Sequence, residues 1–108
     1  MHTVIVTFRL DGIDDAQYRE AAGAARPLFH EVPGLHSKTW LADPASGVYG
    51  GVYRFASPWA ADAYLASDLF AEAIGDNPVV TDVMVRRADV LDVSAGAAGH
   101  LPAPLTPR

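Results

Sequence analysis

Pro33-Gly34-Leu35-His36-Ser37-Lys38-Thr39-Trp40, followed by Gly50-Gly51-Val52-Tyr53-Arg54-Phe55, is the stretch that decides how this chain folds. It reads as the two strands of one hairpin, about Leu35 to Ala42 and Val48 to Phe55, with aromatics at alternate positions of the second. Asp43-Pro44-Ala45-Ser46-Gly47 joins them. Pro44 presets its φ, Asp43 can bond nearby backbone, and Gly47 tolerates positive φ, so this segment is a turn.

Before the hairpin, Thr3 to Leu10 is apolar and β-branched. Val4, Val6, Phe8 and Leu10 share one face of a strand; Ile5, Thr7 and Arg9 share the other. Asp11-Gly12 ends it. Asp14 is placed to cap a helix from Asp15 to about Val32, with Tyr18, Ala21 or Ala22, Ala25, Phe29 and Val32 as its apolar stripe. Pro27 lies inside that pattern and is expected to kink or divide the helix.

After the hairpin, Ser57-Pro58 supplies an N-cap and a first-turn proline for a helix from Trp59 to about Ser67. Its inner stripe is expected at Ala60, Ala63 and Tyr64, and Trp59 is expected to staple the helix entry. Asp68 can cap a short third helix that Gly75 closes. Val79 to about Val93 reads as the last strand, bulged near Ala88. The order β-α-β-β-α-β predicts an α+β, ferredoxin-like domain over 1–93: a four-stranded antiparallel sheet with the helices on one face. The residues from 94 to 108 are small and proline-rich, and are expected to form a disordered tail or an arm on a partner.

This arrangement covers one sheet face only. Ile5, Val83 and Val85 cannot all share the face of Val4, Val6 and Met84, so apolar groups are expected on the bare side. A homodimer packed sheet to sheet would cover them, burying at least ~800 Å² per partner.

The composition removes several functions. The chain has 108 residues, half of them hydrophobic, and a net charge of −5 from 8 Lys+Arg and 13 Asp+Glu. With no basic run beyond Arg86-Arg87, nucleic-acid binding is not expected. There is no cysteine and there are four histidines at no metal-binding spacing, so neither thiolate chemistry nor a metal site is expected. No apolar run approaches the ~20 residues of a membrane span, and the first residues carry no signal-peptide pattern. A cytoplasmic protein that binds no membrane is the expectation.

Pro33-Gly34-Leu35, Lys38-x-Trp40, Gly50-Gly51-Val52-Tyr53-x-Phe55 and Ala63-Tyr64-Leu65 resemble the YdhR-like mono-oxygenases. That family is a branch of the dimeric α/β-barrel superfamily, beside the antibiotic-biosynthesis mono-oxygenases. Arg26-Pro27-Leu28 looks like its first helix too. The resemblance covers about Thr3 to Val93. It implies oxidation of a small aromatic or quinone-like metabolite by O₂ with no cofactor. A non-redox aromatic polyketide cyclase or isomerase, and a protein that binds an aromatic ligand or haem without turnover, are the alternatives.

Cofactor-free oxygenation needs a dry aromatic slot, a hydrogen-bond donor for a carbonyl, and a base. Tyr49, Gly51, Tyr53 and Phe55 alternate on one strand face, expected toward the helices, where Tyr64 can join them. The same residues would also serve as plain core aromatics. Gly50-Gly51 marks either room for a flat ligand or close packing. Tyr53 is the candidate donor and His36 the candidate base. Arg86 is the candidate to hold a substrate oxygen, if it rather than Arg87 points inward. Lys38 and Trp40 are candidate substrate contacts, but alternation with His36 places them toward the dimer contact. A slip of one residue would invert that.

Overall fold

The computed structural model describes residues 1–91. The tail expected from Ser94 onward lies outside them. Strands β1 (His2–Leu10), β2 (Leu35–Asp43), β3 (Val48–Phe55) and β4 (Val80–Asp89) form one antiparallel sheet in the order β2-β3-β1-β4. The β-α-β-β-α-β fold is therefore the expected one.

Local chemistry sets the element boundaries. Asp14 caps α1 (Asp15–Ala25) in a reciprocal capping box: its carboxylate accepts from the Gln17 N–H and the Gln17 side chain accepts from the Asp14 N–H, both at 2.8 Å. Pro27 ends α1 by tightening it into a 3-10 turn, Arg26–Glu31. Ser57 caps α2 (Pro58–Leu65), and Ser67 rather than Asp68 caps the short α3 (Asp68–Phe70). A π turn, Ala71–Gly75, follows. The hairpin loop closes as a Gly47 N–H to Asp43 carbonyl bond of 2.8 Å, with Gly47 at φ +77°.

The core lies between the sheet and the helices. Val4, Val6, Phe8, Tyr49, Tyr53 and Phe55 rise from the sheet to meet Phe29, Ala61, Tyr64 and Ile74. In α2 it is Ala61, not Ala63, that is buried beside Tyr64. Trp59 is 76% exposed and staples nothing. No residue of α1 is fully buried. That helix stands off the sheet, and the gap beneath it becomes the site described below.

Two bulges set which side chains face the helices. In β2, Leu35 pairs with Phe55 but Ser37 pairs with Arg54, so His36 is an extra residue. In β4, Arg9 pairs with Thr81 while Thr7 pairs with Met84, so one residue is extra at Asp82–Val83, where Asp82 has φ +54°. The bulge expected near Ala88 is here instead. Beyond it every side chain of β4 sits on the face opposite to simple alternation from Val80. Val85 pairs with Val6 and Arg87 with Val4 on the helix side; Met84 and Arg86 pair with Thr7 and Ile5 on the bare side.

Gly50 explains the tight β1–β3 contact. It has φ +149°, and a Cβ there would lie 1.9 Å from the Val6 carbonyl oxygen. Only glycine fits.

Candidate functional site

The gap under α1 is a cavity of about 180 Å³. Tyr18, Ala22 and Ala25 of α1 form its roof, and Phe29 of the 3-10 turn closes one end. Phe8, Gly50, Tyr53, Lys38 and Trp40 form its floor, and Ile74 and Asn77 close the other side. Small alanines on α1, where a core helix would carry Leu or Ile, keep it open.

Lys38 is the feature that sequence reasoning under-read. The His36 bulge returns Lys38 and Trp40 to the helix side, so neither faces away from the helices as alternation implied. Lys38 Nζ lies 3.4 Å from the ring centroids of both Phe29 and Trp40 and 4.8 Å from that of Tyr53. It has no carboxylate partner among the described residues. Burial disfavours the ammonium and pulls its pKa from 10.5 to about 7. The surrounding ring faces favour the ammonium. The two forms are thus balanced near neutral pH. The signal was present in the spacing Lys38-x-Trp40, but its face depended on one extra residue.

Tyr53 is 1% exposed and also lines the cavity. Its oxygen lies 3.1 Å from the Tyr64 hydroxyl, and the two phenols share one hydrogen bond in which either can donate. Desolvation first, and then Tyr64, push its pKa strongly upward. Tyr53 is therefore a hydrogen-bond donor, not a phenolate base. Tyr18 is raised by burial to about 12, and Tyr64 likewise. Among the described residues of the cavity lining, Lys38 is the one side chain whose neutral form is basic and accessible near pH 7.

The other candidates divide. Gly51 sits beneath Lys38 and Tyr53: a Cβ there would come 3.1 Å from Lys38 Cε and 3.2 Å from Tyr53 Cε1. The space it frees holds the lysine stem. Phe55 is fully buried in the core, and Tyr64 reaches the cavity only through Tyr53. The Tyr49 ring packs on Tyr18, while its hydroxyl donates to Asp15 Oδ1 at 2.8 Å at the start of α1.

Arg86 does not reach the site. The β4 bulge turns it to the bare face, and Arg87 points inward instead. Arg87 is spent on structure: its guanidinium donates to His2 Nε2 at 3.0 Å, Asp62 Oδ1 at 2.7 Å and the Pro58 carbonyl at 3.1 Å. His36, exposed on its bulge, lines no part of the cavity. It borders a second hollow of about 580 Å³ with Arg26 and His30, and that hollow shares Phe29, Lys38 and Trp40 with the cavity. Among the described residues no group of three His, Asp or Glu side chains is gathered as metal ligands.

A four-stranded antiparallel sheet with helices on one face is the α+β, ferredoxin-like fold of the antibiotic-biosynthesis mono-oxygenases. Its resemblance to solved structures is extensive at low identity. A putative antibiotic biosynthesis monooxygenase from Deinococcus radiodurans matches with TM-score 0.72 and 15% identity, over 87% of this chain and 96% of that one. The heme-degrader MhuD from Mycobacterium tuberculosis matches with TM-score 0.68 and 19% identity, over 87% and 100%. SnoaB, a cofactor-independent oxygenase from Streptomyces nogalater, matches with TM-score 0.66 and 16% identity, over 85% and 94%. No curated protein matches the sequence. Residues 4–98 match the family described as "Putative mono-oxygenase ydhR", and the chain belongs to that family. No helix among the described residues is long and apolar enough to cross a membrane.

Proposed function

We propose that the chain is a cofactor-independent mono-oxygenase that oxidises a small aromatic substrate of the anthrone or electron-rich phenol type. The observation that carries this reading is the pairing, in one apolar cavity, of a lysine near neutrality with a buried phenol donor. The neutral Lys38 amine takes the acidic C–H or O–H proton of the substrate. Tyr53 donates to the substrate carbonyl, where the anion's charge collects, and Tyr64 holds Tyr53 in place. The apolar walls favour O₂ and keep water from quenching the anion.

The anion passes one electron to O₂, and the resulting radical pair recombines as a C–OO⁻ bond. A proton from Lys38 gives the hydroperoxide, which loses water to leave a ketone. One oxygen atom enters the product and the other leaves as water. The CH₂ carbon supplies all the electrons, so no reductant is needed. The YdhR family membership and the resemblance to a cofactor-independent oxygenase support this reading.

O₂ consumption by the purified protein with an anthrone tests it. Turnover should proceed without added cofactor, and Tyr53→Phe should slow it by about 10²-fold. No O₂ uptake across a panel of anthrones and phenols would refute oxygenation. Turnover without O₂ would assign the same cavity to a cyclase or isomerase.

The working unit in this reading is a homodimer. Ile5 and Met84 are 38% and 50% exposed on the bare sheet face, with Val52 and Leu41 on the same side. A second copy packed there would cover them.

A further inference from the structure

The cavity has a neighbour of opposite character. Arg26 and His30 project from one 3-10 turn, His36 from the β2 bulge, and Lys38 from the shared wall, around a hollow of about 580 Å³. Among the described residues no acidic side chain lines it. None of the four makes an ion pair among the described residues. In a chain of net charge −5, a guanidinium, two imidazoles and a lysine converge here with no carboxylate among the described residues, a cluster of N–H donors around one permanent positive charge. They also adjoin the aromatic cavity across Phe29, Lys38 and Trp40.

We propose that this hollow is an anion site and that the ligand of the cavity is an aromatic acid. Its ring system lies in the apolar cavity, and its carboxylate lies in the hollow against Arg26 and the imidazoles of His30 and His36. Arg26 supplies the permanent charge and the fork geometry that matches a carboxylate. The histidines add donors. The inference rests on the cavity being the ligand site, and it adds the charge and shape of what enters. It also gives His36 a role, as a group that positions the acid rather than a base.

The test compares 1-hydroxy-2-naphthoate with its methyl ester, two probes of the same ring system that differ in charge. Binding is followed by quenching of Trp40 fluorescence in a Trp59→Phe background, since the chain has only these two tryptophans. The acid should bind about tenfold more tightly than the ester. Arg26→Ala should remove that advantage and leave the ester's affinity unchanged, and raised salt should weaken the acid alone. Arg26 is exposed at the end of α1, so the variant is expected to fold, and circular dichroism checks it. Equal binding of acid and ester, or equal loss of both in Arg26→Ala, would overturn the anion site and leave the cavity standing. Binding of neither would overturn both.

Discussion

Replacing Lys38 with methionine should make this protein more stable at neutral pH, and the gain should vanish in alkali. The lysine head is caged by Phe29, Trp40 and Tyr53, with no anion beside it among the described residues. A shift from 10.5 to about 7 corresponds to about 5 kcal/mol, at about 1.4 kcal/mol for each pH decade. That is the order of the penalty on the charged form.

The sign follows from proton counting. Between pH 7 and 10.5 the unfolded lysine keeps its proton and the folded one has lost it, so stability rises with pH across that window. The penalty is fully present below pH 7 and is gone above 10.5. Methionine fills the same space, touches the rings through sulfur, and carries no charge. Thermal unfolding of both proteins at pH 6 and pH 10 measures this. At pH 6 the variant should melt about 10 °C or more above the wild type; at pH 10 the two should converge. Its O₂ uptake should fall by at least ~10² at both. A melting difference independent of pH, or a variant destabilised throughout, would show that the lysine head is in water and would remove it as the base.

Further outcomes follow from the same structure. Ile5→Asp places a charge at the centre of the bare sheet face and should give a monomer by light scattering where the wild type gives a dimer; a wild-type monomer would remove the sheet-to-sheet assembly. Gly50→Ala should yield no folded protein by circular dichroism, because its Cβ has no space against the Val6 carbonyl. Arg87→Ala should cost about 1–3 kcal/mol in urea unfolding, since it leaves His2 Nε2 without its donor and frees α2 from β4. The Arg87–Asp62 pair alone, largely exposed, would account for less than about 1 kcal/mol.

What the amino-acid order determined by itself was local. The β1 alternation, the Asp14 capping box, the break at Pro27, the Ser57-Pro58 start and the Asp43–Gly47 turn are written within a few residues each. They are consequences of φ preferences and short-range hydrogen bonds, and together they imply the β-α-β-β-α-β order. The inward Tyr53 and its neighbour Tyr64 were legible for the same reason. Which faces Lys38, Trp40, Arg86 and Arg87 occupy was decided only in the folded sheet. One extra residue at His36 and another at Asp82–Val83 reverse every side chain beyond them, because a strand repeats every two residues. Those bulges arise from pairing between segments far apart in the chain, and no local propensity encodes them. The cavity, too, is tertiary: it exists because an alanine-rich α1 fails to fill the space above Gly50, Gly51 and Tyr53.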